Sequence, residues 1–579
     1  MSDVTIRNIL GIEANFLNPD REANESSVSF VKDGELRSCI AEERLSRIKL
    51  DGKFPYKSIR EVLRLEQINI GDIDVIAVPF LHPKKGNAKY MKAAWTTFFD
   101  TGIFLGKKVL DFTYFTIYNA LKSPKKHHFE YEGKKFELHY VEHHTAHAAG
   151  AYYCSPFDEA LVLTLDGGGD GLDGTAFIGK GTKLIKLFEI PHFQSPGTMY
   201  SGITLDLGFK RHRHEGKITG LAAYGKPDLV KMGLDDLIKY DNKKHRFVSK
   251  KVAKHHRDLN QKSNYFGPLM NKFSNEDLAG AAQVLLERET LKFVQDAINV
   301  AKIKGYNPSK VCLAGGCFAN VKLNQRILEL NDVENIFVYP AMGDDGLSGG
   351  AALYCYYNQP GVRSKAKSVI KEIYKGGEFS NEEIEAVLIR RNIVYKKHNN
   401  VEVEIAKLLA DRKVVGRFNG KMEYGPRSLG NRSIIAAPFD PSINDWLNKR
   451  LSRTEFMPFA PSIIEEAAAE YFENYQNDHI AADFMTVTYN VRKERAAEIP
   501  AVVHVDNTAR PQVVRKSTNP SYHLIISEFA KITGVPVVLN TSYNIHEQPI
   551  IYTPDDAVDG FLEGKLDVLA IGNFICELK

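Results

Sequence analysis

The chain has 579 residues, 43% of them hydrophobic and 26% charged, with a formal net charge of +4. That length allows two to four domains, and the balance excludes a disordered or fibrous chain. The mild charge makes no electrostatic case for nucleic acid, and six scattered cysteines without a Cys-x-x-Cys spacing argue against a disulfide framework or a zinc ribbon.

A reducing, cytoplasmic setting fits this use of cysteine. The start, Met1-Ser2-Asp3-Val4-Thr5, lacks the basic and apolar regions of a signal peptide. Ile9–Ile12 and Ser27–Val31 read as strands, Asp33-Gly34 as a hairpin turn and Ser38–Ala41 as a third strand. Actin-like ATPase folds begin with this order, and their first loop faces the nucleotide phosphates. The aromatic-rich stretch from Met91 to Leu121 is interrupted by Asp100, Lys107, Lys108 and Asp111. It falls short of the roughly 18 apolar residues of a membrane span, so a pair of helices is expected.

His143 and His147 stand four apart, which puts both rings on one face of a helix. The apolar run Ala160–Leu165 reads as a buried strand with Asp166 at its carboxyl end. Asp344 opens a similar turn after Ile336–Tyr339. Two imidazoles and two carboxylates make a mixed site suited to iron, manganese or zinc.

Four glycine-rich turns follow along the chain. Gly167 and Gly168 are expected to cradle phosphate with backbone N–H groups. Lys217, between Gly216 and Gly220, reads either as a phosphate-contacting or as an exposed lysine, and the basic run Lys210–His214 precedes it. Gly315 and Gly316, then Asn320, form a strand–Gly-Gly–helix pattern that presents N–H groups to a ligand. Gly343–Gly350 is the fourth. Their recurrence points to strand ends converging on one nucleotide cleft.

A composition shift from Asn358 to Gly377 reads as a domain boundary, giving domains over 1–358 and 375–579. In the second, Arg427 and Arg432 sit five apart in a loop read as rigid, then flexible. Arg453 and Arg510 follow, and Ser542 and Asn544 lie in the polar loop after the strand at 536–539. Together these suggest an anion pocket.

The set Asp166-Gly-Gly-Gly-Asp170, Gly216–Gly225, Gly425-Pro-Arg-Ser-Leu-Gly-Asn-Arg432 and Asn540-Thr-Ser-Tyr-Asn544 resembles the carbamoyltransferases of the nodulation and antibiotic-tailoring family. The motifs fall in the family's order over nearly the whole chain. The resemblance implies an α/β protein of two parts. The first would be an actin-like ATPase (ASKHA) domain, similar to the tRNA threonylcarbamoyladenosine transferases. Its iron site would fall on His143, His147, Asp166 and Asp344. The second would be related to the threonylcarbamoyl-adenylate synthases (YrdC-like), with Arg427, Arg453, Arg510, Ser542 and Asn544 in its pocket. The implied reaction joins ATP, as its Mg2+ complex, and carbamoyl phosphate into carbamoyl-adenylate. The carbamoyl group then passes to a hydroxyl of a small acceptor. Neither nucleic acid nor membrane is expected as a partner.

Two positions depart from the family. Its early loop usually carries His-Asp, whereas this loop reads Asn18-Pro-Asp-Arg-Glu-Ala-Asn-Glu25, so Asp20, Glu25 or a metal-bound hydroxide is the expected proton acceptor. Leu451 and Met457 stand where cations are common in the family. An RNA-modifying carbamoyl transfer enzyme and a non-catalytic nucleotide-binding regulator are the alternative readings.

Overall fold

The computed structural model describes residues 6–16, 25–103, 105, 128–256, 259, 262–359, 366–451, 456–545 and 547–578. Asp20, Arg453 and the second half of the stretch from Met91 to Leu121 lie outside the described residues. The chain forms two compact units. The first holds 1–19, 27–37 and 66–370; the second holds 20–26, 38–65 and 371–579. The assignment of Ser38–Leu65 to the second unit was not visible in the sequence, because nothing in composition marks where a chain crosses over and returns.

Two sheets build the first unit. One has six strands: β1 (Asn8–Glu13), β2 (Ser27–Lys32), β3 (Glu35–Ala41, of which only Glu35–Arg37 count in this unit), β4 (Val75–Val78), β5 (His128–Tyr131) and β6 (Lys134–Tyr140), in the order β3-β2-β1-β4-β6-β5. The hairpin turn is where the sequence placed it, with Asp33 at φ 50° and Gly34 at φ 85°. The other sheet follows β7 (Glu159–Gly169), β8 (Leu172–Lys180) and β9 (Lys183–Pro191). After the small hairpin of β10 (Lys239–Asp241) and β11 (Arg246–Val248) come β12 (Lys310–Ala314) and β13 (Asn335–Val338). The order is β13-β12-β7-β8-β9.

The two sheets share a plan. In each, a hairpin-linked run of three strands has its first strand inside, flanked by two parallel strands that enter later. β1 pairs parallel with β4, and β4 with β6. β7 pairs parallel with β12, and β12 with β13.

Helices His143–Cys154 and Leu347–Tyr357 pack beside these sheets. The first is buried on nearly every side and rich in alanine, so neighbours approach closely. A Cβ on Gly350 would lie 1.9 Å from the Ala146 carbonyl, and one on Gly11 1.9 Å from the Ser348 carbonyl. Glycine at both places lets Leu347–Tyr357 seat against β1 and the histidine helix. That seating brings Asp344, three residues before the helix, to the histidines.

The second unit holds an eight-stranded mixed sheet. Its strands are β14 (Tyr395–Lys397), β15 (Val415–Phe418), β16 (Arg432–Ala436), β17 (Ala460–Ile464), β20 (Gln512–Val514), β21 (Val537–Ser542), β22 (Val568–Ile571) and β23 (Phe574–Glu577). A separate pair is formed by β18 (Tyr489–Asn490) and β19 (Thr508–Ala509). The sheet order is β14-β23-β22-β15-β16-β21-β17-β20. Ile405 and Leu409 from one helix and Ile525, Ile526 and Phe529 from another cover Val415, Ile435, Val538 and Val568. Each such side chain contributes about 1.5–3 kcal/mol when fully buried. Among the described residues no helix is long and apolar enough to cross a membrane.

Candidate active site

The helix carrying the histidines starts at His143 because Glu142 caps it. The Glu142 carboxylate accepts from the N–H groups of His144 and Thr145 at 3.0 and 3.1 Å. Asp170 steadies the same end, accepting from the N–H of His143 at 3.0 Å and of Leu81 at 2.8 Å. The capped helix aims His143 and His147 at the end of β7, where Asp166 lies. Asp344 approaches from the turn after β13.

The four side chains meet. Their donor atoms all lie within 4.8 Å of one another. His143 Nε2 is 2.9 Å from Asp166 Oδ2 and 3.9 Å from Asp344 Oδ1. His147 Nε2 is 3.4 and 3.6 Å from the same two oxygens. Four donors at about 2.1 Å from one tetrahedral ion stand about 3.4 Å apart, so this spacing suits a single ion. The His147 ring gives a second sign. Its buried Nε2 faces the Asp166 and Asp344 oxygens without a hydrogen bond of good geometry, an arrangement that a cation between them would complete.

The charges agree. Burial pulls the His143 ring down, but the hydrogen bond to Asp166 and the charges of Asp166, Asp344 and Asp170 outweigh it and raise its pKa to about 10. Burial pushes Asp166 up, yet the neighbouring histidines hold it well below the usual carboxylate range. The cluster therefore draws positive charge, whether as protons or as a metal ion. His144, between the two converging histidines, differs. His144 is fully buried, and its nitrogens contact Thr164 Oγ1 at 2.9 Å and the Leu172 carbonyl at 3.2 Å. Burial lowers its pKa to about 4, so it is a neutral core histidine. The His147 side chain is 1% exposed and that of Asp344 24%, so the cluster opens on the Asp344 side.

Asp166–Gly169 is not a turn after a strand. It continues β7 through a bulge between Leu165 and Gly169, and the turn is Asp170-Gly171. Gly168 and Gly315 are required by packing: a Cβ would meet His192 at 2.0 Å in one case and the Leu165 carbonyl at 2.4 Å in the other. Gly167 and Gly316 are exposed, with open space where a Cβ would stand. They sit at the carboxyl ends of the neighbouring parallel strands β7 and β12, where backbone can approach a ligand.

Lys217 is buried in helix Glu215–Ala222. Asn320 caps helix Val321–Leu328. Its amide donates to Gln283 Oε1 at 2.8 Å and Thr219 Oγ1 at 3.2 Å, and accepts from Gln283 Nε2 at 3.1 Å. Those bonds commit it to the protein framework rather than to a ligand. Glu25 belongs to the second unit, whereas the four converging side chains belong to the first. Glu13, the last residue of β1, is a further acid that no motif in the sequence marks. Burial and the charges of Asp344 and Asp170 raise its carboxyl well above the usual range, with His143 opposing. Register places it opposite Ser27, whose hydroxyl donates to the Asp345 carbonyl at 2.7 Å.

In the second unit the loop before β16 is tied down, not flexible. Buried Glu423 Oε1 accepts from the N–H groups of Leu429, Asn431 and Arg432 at 2.8, 2.7 and 3.2 Å. Arg432 is fully buried; it donates to the carbonyls of Asn419, Gly420 and Asn431 and stacks on Phe418 at 3.8 Å. It therefore holds the loop, and Arg427 is the half-buried arginine that the loop presents. Buried Asn540 joins the neighbouring strands. Its Nδ2 reaches the Ser428 carbonyl at 3.3 Å, Ser462 Oγ at 3.1 Å and Gln512 Oε1 at 2.9 Å. The Arg427 loop, the end of β21 with Ser542, and β20 just after Arg510 thus meet at one end of the sheet. Ser542 Oγ donates to Asn544 Oδ1 at 2.6 Å. Glu423→Ala is expected to cost about 3 kcal/mol by stranding three buried N–H groups, read as a lower urea midpoint.

The N-terminal model of the carbamoyltransferases matches residues 8–353, and their C-terminal model matches residues 406–578. This chain belongs to the carbamoyltransferase family. The carbamoyltransferase is 31% identical to an uncharacterized protein of Synechocystis over 98% of this chain and 96% of that protein. It is 32% identical to the nodulation protein NolNO of Sinorhizobium fredii over 97% of this chain and 80% of that one. An uncharacterized protein of Methanocaldococcus jannaschii is 34% identical over 76% and 73%. The chain is thus an enzyme that transfers a carbamoyl group.

Proposed function

We propose that the enzyme is an ATP-dependent O-carbamoyltransferase working in two steps. In the second unit, ATP, carbamoyl phosphate and water give carbamoyl-adenylate, pyrophosphate and phosphate. In the first unit, a hydroxyl of a small acceptor attacks the carbamoyl carbon and AMP leaves. The first unit is read as actin-like and the second as YrdC-like. The shared plan of the two sheets supports the actin-like reading.

The observation that carries the proposal is the convergence of His143, His147, Asp166 and Asp344 in a family member. They would hold one iron, manganese or zinc ion, which when bound polarises a carbonyl or hydroxyl oxygen. Gly167 and Gly316 would admit nucleotide phosphates, and Lys217 is the lysine that would meet their charge. Arg427, Arg510 and Arg453 would bind phosphate charge, and Ser542 and Asn544 would orient the adenylate. Asp20, Glu25 or Glu13 would accept the proton of the hydroxyl.

Purified enzyme loaded with metal, ATP, carbamoyl phosphate and a panel of hydroxyl compounds tests this. Pyrophosphate release and an acceptor heavier by one carbamoyl group are expected. Metal-loaded enzyme that releases no pyrophosphate would contradict it.

A further inference from the structure

The bulge that carries Asp166 is gripped by the segment from His192 to Thr198. The His192 N–H donates to the Gly171 carbonyl at 3.1 Å. The Ser195 hydroxyl donates to the Asp166 carbonyl, and the Thr198 hydroxyl to the Gly167 carbonyl at 3.2 Å. The ring of His192 lies flush on Gly168, where a Cβ would stand 2.0 Å from both Cε1 and Nδ1. His192 Nδ1 is 2.7 Å from Oδ1 of Asp173, whose side chain is 0% exposed. Asp173 Oδ2 accepts from the Gln194 N–H at 3.0 Å.

A buried carboxylate beside an imidazole is often no more than a satisfied core pair. Its location here says more. Gly168 sits at φ +122°, and its N–H donates to Asp166 Oδ1 at 2.6 Å. That bond occupies one carboxylate oxygen and leaves Oδ2 to face His143 and His147. The Gly168 N–H thus engages the oxygen of Asp166 that does not face these two imidazoles, and the His192 ring packs against Gly168.

We propose that the Asp173–His192 pair is a positioning unit for the carboxylate of Asp166. It holds Gly168 in the bulge, and through the Gly168 N–H it turns Oδ2 of Asp166 toward the two histidines. Orienting groups of this kind tune metal affinity by 10- to 100-fold in other proteins. The proposal rests on reading the four-residue cluster as a metal centre.

The test is the affinity of the purified full chain for zinc(II), measured by competition with a chromophoric chelator, beside the visible spectrum of the cobalt(II) form. His192→Phe is expected to bind zinc roughly 10- to 100-fold more weakly than wild type and to shift the cobalt bands. His192→Asn places an amide N–H where Nδ1 stood and is expected to stay within about threefold. Asp173→Asn serves where the phenylalanine variant fails to fold, and is expected to fall between these two. Zinc affinities and cobalt spectra that match wild type in folded His192→Phe or Asp173→Asn would overturn the positioning role, even if their melting temperatures drop. Wild type that binds no metal would overturn the reading of the centre, and this proposal with it.

Discussion

Asp166→Asn is expected to lower carbamoyl transfer to the acceptor at least about a thousandfold while leaving pyrophosphate release nearly intact. Asp166 is the hub of the cluster. Its Oδ2 faces both imidazoles, at 2.9 and 3.4 Å, and its Oδ1 is tied to Gly168. An amide keeps the shape but removes the negative charge that would hold the proposed cation between the rings. Preorganised charge at a reacting carbonyl is commonly the largest single term in such catalysis, and one lost contact costs about 2.7–4 kcal/mol. Loss of the ion itself would remove more. Adenylate formation is assigned to the other unit, so the two half-reactions should separate. Equal loss of both would contradict that division of labour.

Arg427→Ala is expected to do the reverse. Pyrophosphate release should fall about a hundredfold or more, and bound metal should not change. Arg427 stands in a loop that Glu423 fixes through three N–H bonds. A side chain on so rigid a base loses little entropy when it grips an anion, and the guanidinium fork suits a phosphate. Arg427→Lys should recover only part of the activity, because a point charge cannot make the paired contact. Arg432→Ala is a useful contrast. That side chain is fully buried and spends its donors on backbone carbonyls, so its loss should appear first as instability.

Much of this was legible in the residues. The spacing of His143 and His147, the apolar run ending at Asp166 and the early hairpin at Asp33-Gly34 each obey a local rule, and local rules survive folding. What escaped was set by tertiary packing. The glycines after Asp166 look like one turn, but two do different work: Gly167 faces open space, and Gly168 makes room for His192. Nothing in the run distinguishes them, because the ring that needs the space comes 24 positions later along the chain. Arg427 and Arg432 also look alike in sequence, and burial alone separates the presented arginine from the structural one. Glu13 was missed because a lone acid after an apolar strand carries no signal until Asp344 and Asp170 are near it.

The account turns on one ion held by four side chains. Elemental analysis of the purified enzyme, set beside His147→Ala, tests it most directly. The account predicts close to one iron, manganese or zinc ion per wild-type chain and almost none in the variant, with both folded. A variant that keeps its full metal content, or a wild type that takes up no such ion when supplied with it, would contradict it.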